Sequence, residues 1–137
     1  MATNRRQWRI DFTLTLPGLF ETQAIQKLAE EFGVEILAKV VFSFSPDIIF
    51  SPLALPRNLL DKTVDRLVTT ATGAMRDVLL QLKSRPTFEE QWPDTFAKEL
   101  AKSKRRMLQL EAIRGGTTLA DILAEDLEIL AWYNDIT

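Results

Sequence analysis

The spacing of apolar residues changes once along the chain, from every second residue to every third or fourth, and this change limits what the chain can fold into. Before about residue 50 the pattern alternates. The stretch QWRIDFTLTLP, residues 7–17, places Trp8, Ile10, Phe12, Leu14 and Leu16 on one side. Such alternation predicts a half-buried strand, and the Pro-Gly pair that follows predicts its end.

Two further segments complete a strand–helix–strand order. FETQAIQKLAEEFG, residues 20–33, has Ile25, Leu28 and Phe32 at helical spacing and closes on Gly33, a residue that often ends helices. VEILAKVVFSFS, residues 34–45, alternates again, and because it is apolar on both faces we expect both faces to be covered. The order predicts a βαβ-like unit, or a small sheet with one helix laid on it.

After Pro56 the spacing is helical. Apolar residues recur every three or four positions from Leu60 to Leu82, which predicts one long helix over residues 57–85, with Pro86 beyond its end. At about 1.5 Å per residue this helix is roughly 40 Å long. A small sheet cannot cover that length, so we expect later helices or another chain to pack on it.

Two more helices are predicted beyond a short turn. Thr87 with Glu90 forms a capping-box pattern. The next helix runs from Phe96, with Leu110 and Ile113 on its apolar face, to a Gly-Gly pair in RGGTT that predicts a helix–helix turn with a Thr cap. The last helix covers residues 117–135, and its spacing predicts that Leu127 faces inward.

These patterns together predict an α+β fold in a single domain, residues 1–137. A small N-terminal sheet of two to three strands plus one helix is followed by three helices, the first of them long. The β-rich part is residues 1–55 and the helical part is residues 56–137.

The absence of both histidine and cysteine excludes several classes of function. Histidine is the usual base beside a Ser or Cys nucleophile and the commonest metal ligand, and cysteine supplies thiolates and disulfides. Ser-His-Asp triads and zinc hydrolase sites are therefore excluded. A carboxylate-based enzyme stays a third alternative. We predict no catalytic residues, no metal and no cofactor.

Neither a signal peptide nor a membrane span is expected. The N-terminus is charged but has no apolar region behind it. The most apolar window, residues 34–56, is interrupted by charges and by Pro46, Pro52 and Pro56, whereas a spanning helix needs roughly 20 apolar residues with few breaks. We expect a cytoplasmic protein.

The segment SPDIIFSPLALP, residues 45–56, is the main candidate for a docking surface. Its prolines oppose both a helix interior and a central strand, so it is predicted to be an edge strand or an apolar loop with exposed surface. We expect a non-catalytic small subunit or adaptor that docks onto a larger protein assembly, or a homo-oligomer. The predicted docking residues are Ile48, Ile49, Phe50, Leu53, Leu55, Trp92, Trp132 and Tyr133.

The alternative is a nucleic-acid-binding subunit of a ribonucleoprotein or defence complex that uses the basic helix of residues 98–106. Several cations on one helix face suit phosphates, and a basic arm around Trp8 suits a stacked base. Against this, the acidic last helix, which includes Asp126 and Glu128, is predicted to fold back and neutralise the basic helix. The nucleic-acid candidates are Lys98, Lys102, Lys104, Arg105, Arg106, Arg5, Arg6 and Arg9.

Overall fold

The computed structural model describes residues 9–40 and 48–137. The predictions for Arg5, Arg6 and Trp8, and for residues 41–47 of the predicted second strand and docking segment, lie outside the described residues. The described chain mixes helix and strand, which agrees with the predicted α+β class.

The N-terminal part is a βαβ unit. Strand β1, Arg9–Leu14, pairs in parallel with strand β2, Glu35–Val40, over their full lengths. Helix α1, Thr22–Phe32, connects them after a 3₁₀ turn at Pro17–Phe20. A parallel pair needs such a crossover. Helix α1 ends at Gly33, whose φ of 63° lies in the left-handed region that a residue without Cβ adopts at little cost. The first of the two predicted arrangements is therefore confirmed.

Only one face of the two-stranded sheet is buried. Phe12 and Leu14 of β1 and Val40 of β2 are in the core, whereas Arg9 and Thr13 are exposed. The prediction that the second strand is covered on both sides is wrong for β2, because Leu37 on its outer face is 49% exposed. The helices meet the sheet from the buried side, and the helix Gly73–Ser84 packs along β2.

The helical part contains more and shorter helices than predicted. None of the described helices is both long and apolar enough to cross a membrane. Two 3₁₀ turns, Ile48–Phe50 and Pro52–Ala54, lead into it. The helices are α2, Arg57–Val68; α3, Gly73–Ser84; α4, Phe88–Gln91; α5, Phe96–Arg114; α6, Leu119–Leu123; and α7, Leu127–Asp135.

The single long helix predicted over residues 57–85 is wrong, since α2 and α3 form a hairpin broken between Val68 and Gly73. Gly73 has φ 55°, outside the helical region. The amide of Gln26 on α1 holds the turn: its Nε2 donates to the Thr70 carbonyl at 3.1 Å, and its Oε1 accepts from the Thr72 N–H at 2.8 Å. The apolar spacing continues across the break because both helices face the same core.

The predicted last helix is also two helices. Thr118 caps α6 in a capping box with Asp121, which confirms the predicted Thr cap. Asp126 then starts α7 by accepting from the N–H groups of Glu128 and Ile129. Leu127, which was predicted to face inward, is 74% exposed because it falls in the first turn of this new helix.

Helix α5 is confirmed as one long helix, and Phe96, Leu100 and Met107 of its predicted apolar face are buried, but toward the C-terminal end the buried face is rotated from the predicted one. Leu110 is 47% exposed and Ile113 is 85% exposed, so the prediction that they face inward is wrong. Glu111 is buried instead, because its Oε2 accepts from the Leu119 N–H at 2.6 Å and so binds the first turn of α6. Polar satisfaction at the α5–α6 corner therefore sets the rotation of the helix.

The segment at residues 48–55 lies in the centre of the core. The exposure predicted for it is wrong: Ile48, Ile49, Leu53 and Leu55 are each exposed by 2% or less, and Phe50 is half-buried. A proline-rich segment can be buried because its polar groups are satisfied. The Ile49 N–H donates to Ser103 Oγ of α5 at 3.1 Å, and the Leu53 N–H donates to Ser51 Oγ at 3.2 Å.

Candidate functional site

A groove of about 440 Å³, named here the α5–α7 groove, lies between α4, α5 and the end of α7. Phe96 and Leu100 of α5 are buried at its base, and Trp132 of α7 is half-buried. Two exposed carboxylates, Glu89 and Asp135, also line it. The groove thus combines an apolar base with negative charge.

The α4 side of the groove is held in place by Arg57. Its guanidinium donates to both carboxylate oxygens of Glu90, at 2.7 and 3.3 Å, and to Asp61 at 3.0 Å. It also donates to the carbonyls of Lys83 and Arg85 at the end of α3. Bidentate pairing of this kind fixes orientation as well as position. One side chain therefore ties α2, α3 and α4 together.

Glu90 also closes the predicted capping box, which is confirmed. Its Oε1 accepts from the Thr87 N–H at 2.8 Å, and its own N–H donates to Thr87 Oγ1 at 3.2 Å. Hydrogen bonding to Arg57, followed by the Thr87 N–H, lowers the pKa of Glu90 to about 2. The same pairing raises the pKa of Arg57. Both groups are therefore charged at neutral pH, and α4 presents Glu89 to the groove from a fixed turn.

The α7 side of the groove is held by Lys104 of α5. Its Nζ donates to the carbonyls of Tyr133 and Ile136 at 2.8 and 2.9 Å, and lies 4.7 Å from the centre of the Tyr133 ring. Cations are favoured at the C-terminal end of a helix because the last carbonyls are unpaired and the helix dipole is negative there. Lys104 thus positions Trp132 and Ile136, which line the groove.

Tyr133 itself faces away from solvent. It is 2% exposed, and burial, with a further contribution from the charge of Glu111, raises its pKa to about 12. Its hydroxyl finds no hydrogen-bond partner within residues 9–40 and 48–137. The residue anchors α7 in the core and stays neutral at any physiological pH.

Of the predicted docking residues, Phe50, Trp92 and Trp132 keep exposed surface, and the two tryptophans lie in different places. Trp132 lines the α5–α7 groove. Trp92 is 39% exposed and lies 5.9 Å from the ring of Phe88, where both line a separate cavity of about 130 Å³. The structure therefore offers no single docking patch made of the predicted set. Their docking role stays a prediction.

The predicted nucleic-acid residues do not all lie on one surface either. Lys98, Lys102 and Arg105 are exposed at positions i, i+4 and i+7 of α5, where they share one face. Arg106 is exposed beside them, while Lys104 is turned toward the end of α7. Arg9 is exposed on β1 and pairs with Asp11 at 3.1 Å.

Two acidic groups of the last helices pair with α2 rather than with the basic helix. Lys62 forms an ion pair with Glu128, and Arg66 pairs with Asp126 at 3.4 Å. The predicted neutralisation of α5 by these two acids is therefore wrong. The reason is that Lys62 and Arg66 of α2 lie within ion-pairing distance of these acids at the start of α7. On α5 itself, Lys102 pairs with Glu99 at 3.5 Å.

Sequence reasoning missed Arg57 and the capping role of Lys104. The carbonyl and carboxylate partners of Arg57 on α3 and α4 are 26–33 residues away, and the carbonyl partners of Lys104 are 29–32 residues away. Nothing local to either residue marks these contacts. The one usable signal was the capping box at Thr87, because it predicted that Glu90 would be held at the start of a helix.

Within residues 9–40 and 48–137, no three of His, Cys, Asp and Glu are grouped so as to hold a metal ion. Comparison with protein-family models, with curated proteins and with solved structures found no match to this chain.

Proposed function

We propose that this protein is a non-catalytic docking module, a small subunit or adaptor. It binds a segment of a partner protein in the α5–α7 groove. The segment carries an apolar side chain next to Lys or Arg. The observation that carries the proposal is the combination of an apolar base, formed by Phe96, Leu100 and Trp132, with the exposed carboxylates Glu89 and Asp135.

The chemistry of the groove selects this occupant. A half-buried Trp is a common anchor in protein interfaces, because it offers a large rigid surface at low entropic cost. The two carboxylates disfavour an acidic segment and attract a basic one. The groove is also preorganised, since Arg57 fixes α4 and Lys104 fixes α7, and this reduces the ordering cost of binding.

The test uses a fluorescein-labelled peptide with alternating Leu and Arg, and a matched peptide with Glu in place of Arg. Fluorescence anisotropy should show binding of the Arg peptide with a Kd in the range of roughly 1–100 µM and no binding of the Glu peptide. Asp135→Lys should weaken binding at least about tenfold. Because Asp135 lies at the C-terminal end of α7, this substitution favours the helix dipole, so unfolding does not explain a loss.

The matched control is Glu31→Lys, which makes the same charge change at an exposed position of α1 outside the groove. It should bind the Arg peptide like the parent protein. Equal binding of the two peptides, or an unchanged Kd in the Asp135→Lys variant, would refute the proposal.

A second candidate function, nucleic-acid binding through α5, is supported by one observation. The acids that were expected to neutralise the basic helix pair with α2, and Lys98, Lys102 and Arg105 are exposed on one face. Phosphate binding weakens steeply as salt rises. A labelled single-stranded oligonucleotide should therefore bind in a salt-dependent way and lose binding in a Lys102→Glu/Arg105→Glu variant. The control is Lys27→Glu at an exposed position of α1, which should bind the oligonucleotide like the parent protein. Binding that the α5 substitutions leave unchanged would exclude α5 as the site.

A further inference from the structure

The exposed face of α5 has the chemistry that the groove requires. Ile113 is 85% exposed and is followed by exposed Arg114. Lys102 lies eleven positions before Ile113, which at about 3.6 residues per turn is about three turns and so the same face of the helix. Ile113 thus precedes Arg114 in the sequence and shares a helix face with Lys102, which lies about 17 Å away along the axis.

The same helix contributes a different face to its own groove. Leu100, which lines the groove, precedes Lys102 by two positions, and two positions correspond to a rotation of about 200° around a helix. Ile113 is rotated from Leu100 by a similar angle. One molecule can therefore offer its groove and the outer face of α5 at the same time.

We infer that the occupant of the α5–α7 groove is the outer face of α5 of a second copy of this chain, with Ile113 as the apolar anchor. Lys102, on the same face as Ile113, brings a positive charge to the carboxylates Glu89 and Asp135 of the other copy. This inference rests on the proposed function of the groove. Because the groove and the outer face lie on opposite sides of α5, the copies associate head to tail, and each contact joins one groove to one outer face.

Charge complementarity favours a second copy over a nucleic acid as the partner of this helix face. The chain has a net charge of −2, so two copies repel each other little, whereas a polyphosphate is repelled by the molecule as a whole. An exposed isoleucine at the C-terminal end of the face contributes to a protein contact through apolar burial and makes no contact that a phosphate needs.

The test is sedimentation equilibrium of the full chain, whose monomer mass is 15.6 kDa, over a range of concentrations. The average mass should rise with concentration above that of the monomer, and it can pass that of a dimer because head-to-tail contacts repeat. Asp135→Lys in the groove, Lys102→Glu on α5 and Ile113→Ser on α5 should each raise the dissociation constant at least about tenfold. The altered side chains of α5 are exposed, and circular dichroism checks that every variant is folded.

Mixing two of these variants gives the sharper result. Asp135→Lys and Lys102→Glu each place like charges in every contact of their own self-association. Where the two variants alternate, one kind of contact is the original one and the other has its charges exchanged, so the mixture should associate more tightly than either variant alone. Glu31→Lys and Phe32→Ser on α1 are matched controls for charge and for apolar exposure, and both should associate like the parent protein.

The outcomes separate this inference from the proposed function. A parent protein that stays monomeric while the Arg peptide still binds in the groove overturns the inference and leaves the proposed function standing. Self-association that Asp135→Lys does not change also overturns it. If the Lys102→Glu variant loses oligonucleotide binding and keeps its self-association, α5 serves a nucleic acid and the inference fails.

Discussion

Replacing Arg57 with Met removes the side chain that ties the start of α2 to the end of α3 and to α4. We expect Arg57→Met to lower the free energy of unfolding by about 2–4 kcal/mol. The methylene part of the side chain is largely kept by Met, so the loss reports the guanidinium contacts and not the packing.

The magnitude follows from the partners. The two carbonyls at the end of α3 lose a donor, and because the side chain is partly exposed, each of these hydrogen bonds is counted at the typical net value of about 1 kcal/mol. The Arg57 side chain is 32% exposed, so the pairs with Asp61 and Glu90 are screened and each contributes about 0.2–1 kcal/mol. At this chain length each kcal/mol lowers the Tm by about 3–5 °C, so we expect a decrease of about 6–20 °C.

Urea unfolding followed by circular dichroism measures the change, with Lys27→Met at an exposed position of α1 as the control. Arg57→Lys should fall between the parent and Arg57→Met, because Lys keeps the charge but not the bidentate geometry. A loss below about 1 kcal/mol in Arg57→Met would contradict the role of Arg57 as the residue that holds α4 and hence one side of the groove.

Three further predictions concern Glu90, Gly73 and Lys104. Because the pKa of Glu90 is lowered to about 2 from the usual 4.5, its contribution is present above about pH 4.5 and is lost as pH falls toward 2. Because the Glu90 side chain is 44% exposed, Glu90→Gln should remove only about 1 kcal/mol of this acid-sensitive stability. If urea unfolding shows the same acid sensitivity in the variant as in the parent, this prediction is contradicted. Gly73→Ala should cost about 1 kcal/mol through its positive φ alone, since an added Cβ meets nothing within 4 Å, and a Tm at or above the parent's refutes this. Lys104→Met should speed hydrogen exchange of the last amides of α7 and cost about 1–2 kcal/mol, whereas Lys98→Met should leave that exchange unchanged; equal effects exclude the capping role.

Local signals predicted the features whose partners are close in sequence. The alternation in β1, the end of α1 at Gly33, the capping box at Thr87 and the cap at Thr118 were all predicted from residues within a few positions of one another. The βαβ unit followed from the order of these elements. Such features are confirmed because steric preferences and capping bonds act over one helical turn or one strand pair.

Features that depend on distant partners were not predictable in this way. The break between α2 and α3 is held by Gln26, which lies 44 or more residues away from its partners in the turn. The burial of Ile49 depends on Ser103 of α5, and the rotation of α5 depends on Glu111 binding α6. In each case a polar group satisfied across the fold overrides the apolar pattern.

The sequence by itself determined the mixed composition of strand and helix, the βαβ start, most helix ends and the exclusion of histidine- and cysteine-based sites. These properties depend on residue type and short spacing alone. Only the tertiary structure decided which apolar residues are buried, where the long periodic segment bends and that a groove forms between α4, α5 and α7. The physical reason is that burial and ion pairing are properties of surfaces brought together by folding, and Arg57 and Lys104 acquire their roles only when helices distant in sequence meet.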